Sequence, residues 1–339
     1  MCGIAALQLR DPALRGQLGT LMHGMLCEIV DRGLDSAGMA LYDDGALTPT
    51  GTSTVTVLDV GLPIDELTSA LQAALPMDAD VTVTDFGETT LINARVSTAE
   101  LEAAIETVVP DAQIAGRGQH VAVLKGTGHP LTLADTYHLL GSTGSQGLSH
   151  TRMATESAVT ASGSHPFTVA DDLCLVHNGS FSNHATIRRQ LRAEGVHFDS
   201  ENDSEVAARY IAWRLTKGDE LTTALERLGE VFDGFYTLVV TTPTKMAVVR
   251  DPIACKPAII AETDGWVAMA SEYRALAGLP GIENARIFEP APGVVYTWDI
   301  DGGLTTDAPA GSHPDFTTDF GTDDVTDLAA ATDTTKVSA

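Results

Sequence analysis

The sequence predicts an α+β fold of packed sheets, and three observations carry that expectation. Strand-like and helix-like runs fall in blocks rather than in strict βαβ alternation. A stretch from about residue 52 to 126 has a βαββαβ order of its own. A hydrophobic content of 44% over 339 residues is enough to bury an extensive core.

Residues 3–9 read as a strand. Asp11 and Pro12 then supply the N-cap and first position of a helix whose apolar residues Leu14, Leu18, Leu21, Met22, Met25, Leu26 and Ile29 recur at helical spacing. That helix stops at Arg32-Gly33, and a second strand over 37–42 ends in the turn signal Asp43-Asp44-Gly45. The next stretch predicts strand 54–60, helix 64–75, strands 81–86 and 90–96, helix 99–108 and strand 120–124. This is the order of a ferredoxin-like unit, inserted at 52–126, and its plainest role is that of a spacer without chemistry. From 147 onward apolar runs predict strands at 173–176, 235–240, 246–249, 258–261 and 266–269. Turn clusters at 241–245 and 262–265 separate them, and helical patterns lie at 185–194, 204–215 and 221–228. The main domain is expected over 2–300. Beyond Trp298 Asp, Thr, Ala and Gly dominate, too few apolar groups to offset ordering entropy, so 309–339 is expected to be a disordered acidic tail.

Twenty Lys and Arg against 46 Asp and Glu give a formal charge of -26, which opposes nucleic-acid and anionic-membrane partners and favours solubility. No apolar run is long enough to cross a bilayer and no secretory leader is apparent, so a cytoplasmic protein is expected. Cys2, Cys27, Cys174 and Cys255 lack paired metal-ligand spacing, which argues against a disulfide framework or a metal site. Cys27 and Cys174 lie in apolar patterns and read as core residues.

Cys2 stands apart. An aminopeptidase can remove Met1 ahead of so small a residue, leaving one residue with both a thiol and a free α-amine. Their ordinary pKa values, about 8.5 and about 7.7 to 8.0, make proton exchange between them easy at neutral pH. A nucleophile and its base are then present without a histidine.

Several separated motifs resemble those of the class II glutamine amidotransferases of the N-terminal-nucleophile hydrolase fold. They are Met-Cys-Gly-Ile at 1–4, Asp31-Arg32-Gly33-Leu34-Asp35-Ser36-Ala37-Gly38, His150-Thr151-Arg152-Met153-Ala154-Thr155, His177-Asn178-Gly179 and Asn202-Asp203-Ser204-Glu205. The resemblance covers 1–42 and about 147–298, and implies an αββα sandwich with the 52–126 unit inserted in it. Glutamine carries a carboxylate, an ammonium and a side-chain amide, so its pocket needs a cation, an anion and an oxyanion hole. The resemblance implies Cys2 as nucleophile and Arg152 as the carboxylate's partner. Asp203 would hold the ammonium, and Asn178 with the Gly179 N–H would hold the oxyanion. Asn202 and Asp203 also read as a helix N-cap, and Asn178-Gly179 as a tight turn that aims the two donors. Thr155 and His165 are implied as further substrate contacts on a glutamine loop rich in Ser, Thr, Gly and Ala, while Arg32 and Gly33 order the Cys2 region. Some relatives have an aromatic residue where this chain has Met153, which puts the usual gate to an ammonia channel in doubt.

At a finer level the chain is similar to the amidotransferase subunit of N-methylglutamate synthase and of split glutamate-synthase-like systems. The residues behind this are GLSHTRMATES at 147–157, Ser164-His165-Pro166-Phe167, RDPIACKP at 250–257 and ASEYRAL at 270–276. That implies L-glutamine as substrate and, as partners, an FMN-dependent glutamate-synthase-like subunit and a β-helical subunit. Any FMN or iron–sulfur cluster would sit in those partners, and no cofactor or metal is expected in this chain. Rival readings are ammonia supply to a phosphoribosyl acceptor, as in amidophosphoribosyltransferase, a non-catalytic glutamine-binding regulatory subunit, and an N-terminal-cysteine hydrolase of other amides.

Overall fold

A computed structural model describes residues 2–153 and 158–306. The chain begins with β1 (Gly3–Leu9), a short 3-10 turn (Pro12–Gln17), α1 (Leu18–Ile29) and β2 (Ser36–Tyr42). Asp11 caps this entry as its side chain accepts from Ala13 N, with Pro12 in the first turn. There follow β3 (Ser53–Leu58), α2 (Ile64–Ala74), β4 (Thr82–Phe86), β5 (Thr89–Ala94), α3 (Thr98–Val108) and β6 (Gln113–Gly118). Next come β7 (Val121–Thr127), α4 (Pro130–Thr136), β8 (Gln146–Arg152), β9 (Phe167–Ala170) and β10 (Leu173–Phe181). Helices α5 (His184–Ala193), α6 (Asp203–Thr216) and α7 (Leu221–Val231) are consecutive. The remaining strands are β11 (Gly234–Thr241), β12 (Lys245–Arg250), β13 (Ile259–Glu262), β14 (Trp266–Ala270), β15 (Arg286–Phe288), β16 (Val295–Asp299) and β17 (Leu304–Thr306).

The body is a four-layer αββα sandwich. One sheet has the order β15-β13-β14-β1-β8-β2-β7 and the other β17-β16-β12-β11-β10-β9. Side chains alternate across each strand, so each sheet feeds two cores. Ile4, Ala6, Ala40 and Leu148 meet Cys174, Val176, Val239 and Val248 between the sheets. Ala5, Leu7, Met39 and Leu41 point the other way, under α1. Leu175, Leu238 and Val240 pack beneath α5, α6 and α7. Strands β1, β2 and β10 to β14 read as apolar runs and are visible in sequence, whereas β8, Gln-Gly-Leu-Ser-His-Thr-Arg, is buried along its whole length without such a run.

The inserted unit has a sheet in the order β4-β5-β3-β6, every described pairing antiparallel, with α2 and α3 on one face. One assignment needs correction. The strand expected at 120–124 as the last of the insertion is β7, the edge of the seven-stranded sheet, where it pairs with β2. The strand that closes the insertion is β6, whose sequence Gln-Ile-Ala-Gly-Arg-Gly has little β propensity and holds its place by pairing with β3. Cys174 is fully buried as expected, but Cys27 is only half-buried, its Sγ 3.7 Å from His23 Nδ1. Thr155 and the expected tail at 309–339 lie outside the described residues.

Candidate active site

Cys2 immediately precedes β1 and is half-buried. Ile4 faces the layer between the sheets, and Cys2, two residues earlier, shares its side of the strand. The Cys2 carbonyl accepts two hydrogen bonds, from Arg32 Nε at 3.0 Å and from Asn178 Nδ2 at 3.2 Å. Arg32 also donates through Nη1 to Glu272 Oε1 at 2.8 Å, so an ion pair fixes the guanidinium that fixes the start of the chain. Gly33 rests on the backbone of Arg152, where a Cβ would lie 2.4 Å from the Arg152 carbonyl carbon. No larger residue fits there.

Asn178 and Gly179 differ from expectation. They do not form a tight turn but continue β10, opposite Thr237 and Tyr236 of β11. The strand runs on past Val176 because β11 supplies partners as far as Phe181. Asn178 lies on the same side as Cys174 and Val176, which face the inter-sheet layer, and this alternation aims its amide at Cys2. Gly179 has φ of +155°, and a Cβ there would meet the Phe235 carbonyl oxygen at 2.0 Å.

A buried histidine cluster lies beside these groups. The rings of His150 and His165 are 4.2 Å apart and those of His165 and His177 6.4 Å apart. Burial, followed by the neighbouring His150, His177, Lys125 and Arg152, pushes His165 well below its ordinary pKa and keeps it neutral. Burial likewise lowers His177, against the opposing pull of Asp203. His177 Nδ1 and Ser204 Oγ are 2.8 Å apart. Burial pushes the Cys2 thiol up, but its hydrogen bond and charge interaction with His150, aided by the Met153 backbone, outweigh this and bring the pKa to about 6. At neutral pH the thiolate predominates. The Met153 side chain itself is 44% exposed.

Arg152 ends β8 and is buried. Asp203 is the first residue of α6, whereas the N-cap is Asn202, its side chain accepting from Ser204 N at 2.9 Å. The joint cap expected of Asn202 and Asp203 is thus Asn202's alone. Asp203 Oδ2 accepts from Phe181 N at 2.9 Å, and its Oδ1 lies 3.9 Å from His177 Nδ1. Its carboxylate stays 22% exposed. Asn202 Nδ2 donates to Gly163 O at 3.4 Å, which brings the loop after β8 to the start of α6. The arrangement gathers a thiolate, amide donors, a buried guanidinium and a carboxylate at one end of the sandwich. Such a set can bind an amino acid and attack an amide. A cleft of about 670 Å3, lined by Arg10, Glu262 and Trp266, opens at the other end of β1. Among the described residues no His, Cys, Asp or Glu group has a metal-binding arrangement, and no helix is long and apolar enough to cross a membrane.

The family model for the glutamine amidotransferase domain matches residues 150–278. The glutamine amidotransferase-like protein GlxB of Rhizobium meliloti is 46% identical over 302 residues, which cover 88% of this chain and 98% of that protein. The chain belongs to the glutamine amidotransferases. A putative glutamine amidotransferase of Methanothermobacter thermautotrophicus is 29% identical over 308 residues, covering 88% of this amidotransferase and 100% of that one. Among solved structures, the glutamine phosphoribosylpyrophosphate amidotransferase of B. subtilis matches with a TM-score of 0.56 at 18% identity, over 90% of this chain and 49% of that one. An allosteric regulatory enzyme of purine biosynthesis matches at 0.60 and 18%, over 90% and 48%. The amidotransferase chain spans about half the length of those two enzymes and shares with them the N-terminal-nucleophile hydrolase fold.

Residue roles that sequence reasoning missed are those set by pairing across the sheet. His150 sits opposite Ile4 on β1 and Gly38 on β2, which directs it toward Cys2. Its alternation with Leu148 and Arg152 along β8 was the available signal. Ser204 and Glu272 stand in quoted motifs, but their partners were not readable because these lie 27 and 240 residues away.

Proposed function

We propose that this amidotransferase hydrolyses L-glutamine to glutamate and ammonia through a thioester on Cys2. The Cys2 Sγ attacks the glutamine side-chain carbonyl carbon, and the oxygen takes up the electron pair as an oxyanion held by the Asn178 amide and the Gly179 N–H. The α-amine of Cys2, freed by removal of Met1, gives a proton to the leaving nitrogen, and ammonia departs. The same amine then takes a proton from water, hydroxide adds to the thioester, and glutamate leaves as the thiol is restored. Arg152 binds the substrate carboxylate and Asp203 its ammonium, with Thr155 and His165 as further contacts.

The observation that carries this reading is the 3.2 Å hydrogen bond from Asn178 Nδ2 to Cys2 O, which joins an oxyanion donor to the nucleophile's own residue across 176 positions of sequence. The lowered pKa of the Cys2 thiol supports it as well. Released ammonia goes to a separate synthase subunit of the glutamate-synthase or N-methylglutamate-synthase type, with FMN in the partner. The motif resemblance supports this assignment.

Glutamate release by Cys2→Ala should be undetectable, while Asn178→Ala should turn over roughly a hundredfold to a thousandfold more slowly. Both are read from glutamate formation by protein lacking Met1, alone and mixed with the products of adjacent genes. Wild-type turnover by Cys2→Ala would end the nucleophile assignment.

A further inference from the structure

Lys125 on β7 is a lysine with only 3% of its surface exposed, and its position ties together two parts of the molecule. On one side Thr89, in β5 of the inserted unit, grips its backbone: Thr89 Oγ1 donates to Lys125 O at 2.7 Å, and Lys125 N donates to Thr89 Oγ1 at 3.2 Å. On the other side its ammonium donates to the carbonyl oxygens of Ser164 at 3.1 Å, Pro166 at 3.4 Å and Ser162 at 3.5 Å. An ammonium has three N–H donors, and three peptide carbonyls use them all. His165 lies between two of those carbonyls, with its ring against His150, which in turn contacts the Cys2 thiol. The Phe167 ring, 5.1 Å from Nζ, closes the other side.

We propose that Lys125 is a positioning residue for glutamine binding, through which the inserted unit sets the loop segment 162–166 against the pocket. The inference rests on the proposed glutamine chemistry but assigns the insertion a task that a spacer lacks. A strongly hydrated ammonium is costly to bury, and here it lies where it fixes the backbone on both sides of His165.

The titratable and charged groups facing Lys125 are Cys174 on β10, Glu205 on α6, Asp199 before α6, and His165 on the loop. Glu205 is already engaged by the backbone amides of Asp199 and Ser200 and by Arg209. Burial, offset in part by Cys174 and Glu205, lowers the Lys125 pKa from 10.5 to about 8. The charged tether is therefore present below about pH 8 and is lost above it. Because the folded value is lowered, the unfolded chain binds more protons between about 8 and 10.5, so this group's contribution to stability rises with pH. A loss of glutamine affinity above pH 8 would run opposite to this group's effect on global stability.

The test compares Lys125→Met, Thr89→Val and the double variant with wild type, by KM and kcat for glutamine hydrolysis from pH 6.5 to 9.5. Lys125→Met should raise KM at neutral pH by the span of a typical coupling, roughly 5- to 150-fold, with a smaller fall in kcat. Wild-type KM should climb more steeply above about pH 8 than that of Lys125→Met, which keeps only the climb that follows loss of the substrate's own ammonium proton. Thr89→Val should raise KM less, and the double variant should be no worse than Lys125→Met alone. An unchanged KM in folded Lys125→Met, or additive effects in the double variant, would overturn the link. Should Lys125→Met fail to fold, Thr89→Val decides alone, and a wild-type KM there also overturns it. Wild-type protein without glutaminase activity would remove both this inference and the proposed function, whereas active wild type with an indifferent Lys125→Met removes only the former.

Discussion

The inserted unit buries Leu67, Leu71, Leu101 and Ile105 against β3 and β5, and its buried Thr54 and Asn93 pair with each other inside the unit, Oγ1 donating to Oδ1 at 2.6 Å. At the Cys2 end of the sandwich the buried groups include charged and titratable ones: His150, His177 and Arg152 are buried beside Asn178 and Ser204. The first arrangement satisfies local rules with local partners, such as the capping box in which Ser97 and Glu100 bond each other's backbone. The second spends burial on groups whose partners come from distant strands, which is stable only because two large sheets hold them. Chemistry sits where the folding rules are broken, and the rest of the sandwich supplies the stability that allows it.

The sharpest break in that comparison is at His150. Its hydrogen bond and charge interaction are the largest offsets to burial at Cys2, so His150→Ala should leave only the Met153 backbone and the amino-terminal charge opposing burial and lift the thiol pKa from about 6 toward its ordinary value of about 8.5. The folded thiol value is lowered in wild type, so the reactive thiolate is present above pH 6 and lost below it. The rate of alkylation by iodoacetamide against pH measures the midpoint. A variant midpoint still near 6 would show that the sandwich activates Cys2 without His150.

A smaller effect separates binding from capping at the start of α6. Asn202 makes the cap, so Asn202→Ala should lower stability by roughly 0.5 to 2 kcal/mol in a thermal melt. Asp203→Ala should instead weaken the preference for glutamine over an analogue lacking the α-amine, by roughly 1.5 to 3 kcal/mol for a charged hydrogen bond. An unaltered preference would remove Asp203 from the site and leave it as a tie between α6 and the Phe181 backbone.

Legibility follows the same divide. The packed sheets of an α+β fold were readable because most strands of the body leave apolar runs, and α1, α2 and α3 because their buried faces recur at helical spacing, while the αββα order came from the family motifs. β6 was lost because Gly116 and Gly118 carry no strand signal and only pairing with β3 makes them extended. Asn178-Gly179 carried a turn signal that β11 overrides by pairing through to Phe181. The motifs placed Cys2, Arg152 and Asn178 at one end of the sandwich, but not His150 against the thiol or Lys125 beneath the loop. Those contacts depend on register, and a one-residue slip in a strand would send each side chain to the opposite face.

The smallest expected effect tests whether the insertion is as locally built as its contacts indicate. Ser97 Oγ accepts from Glu100 N at 3.3 Å, and Glu100 Oε2 accepts from Ser97 N at 3.0 Å. Both residues are exposed, and α3 lies on the face of the inserted sheet turned away from β7. Ser97→Ala removes the cap and should cost about 1 kcal/mol of stability. If the loss stays local, hydrogen exchange should quicken in α3 and its neighbours while β5 at Thr89, and with it KM for glutamine, stays as in wild type. If KM rises with the lost cap, the insertion transmits strain from its outer helix to Lys125, and the boundary between a locally built unit and a globally built site must be drawn inside β5 rather than at its edge.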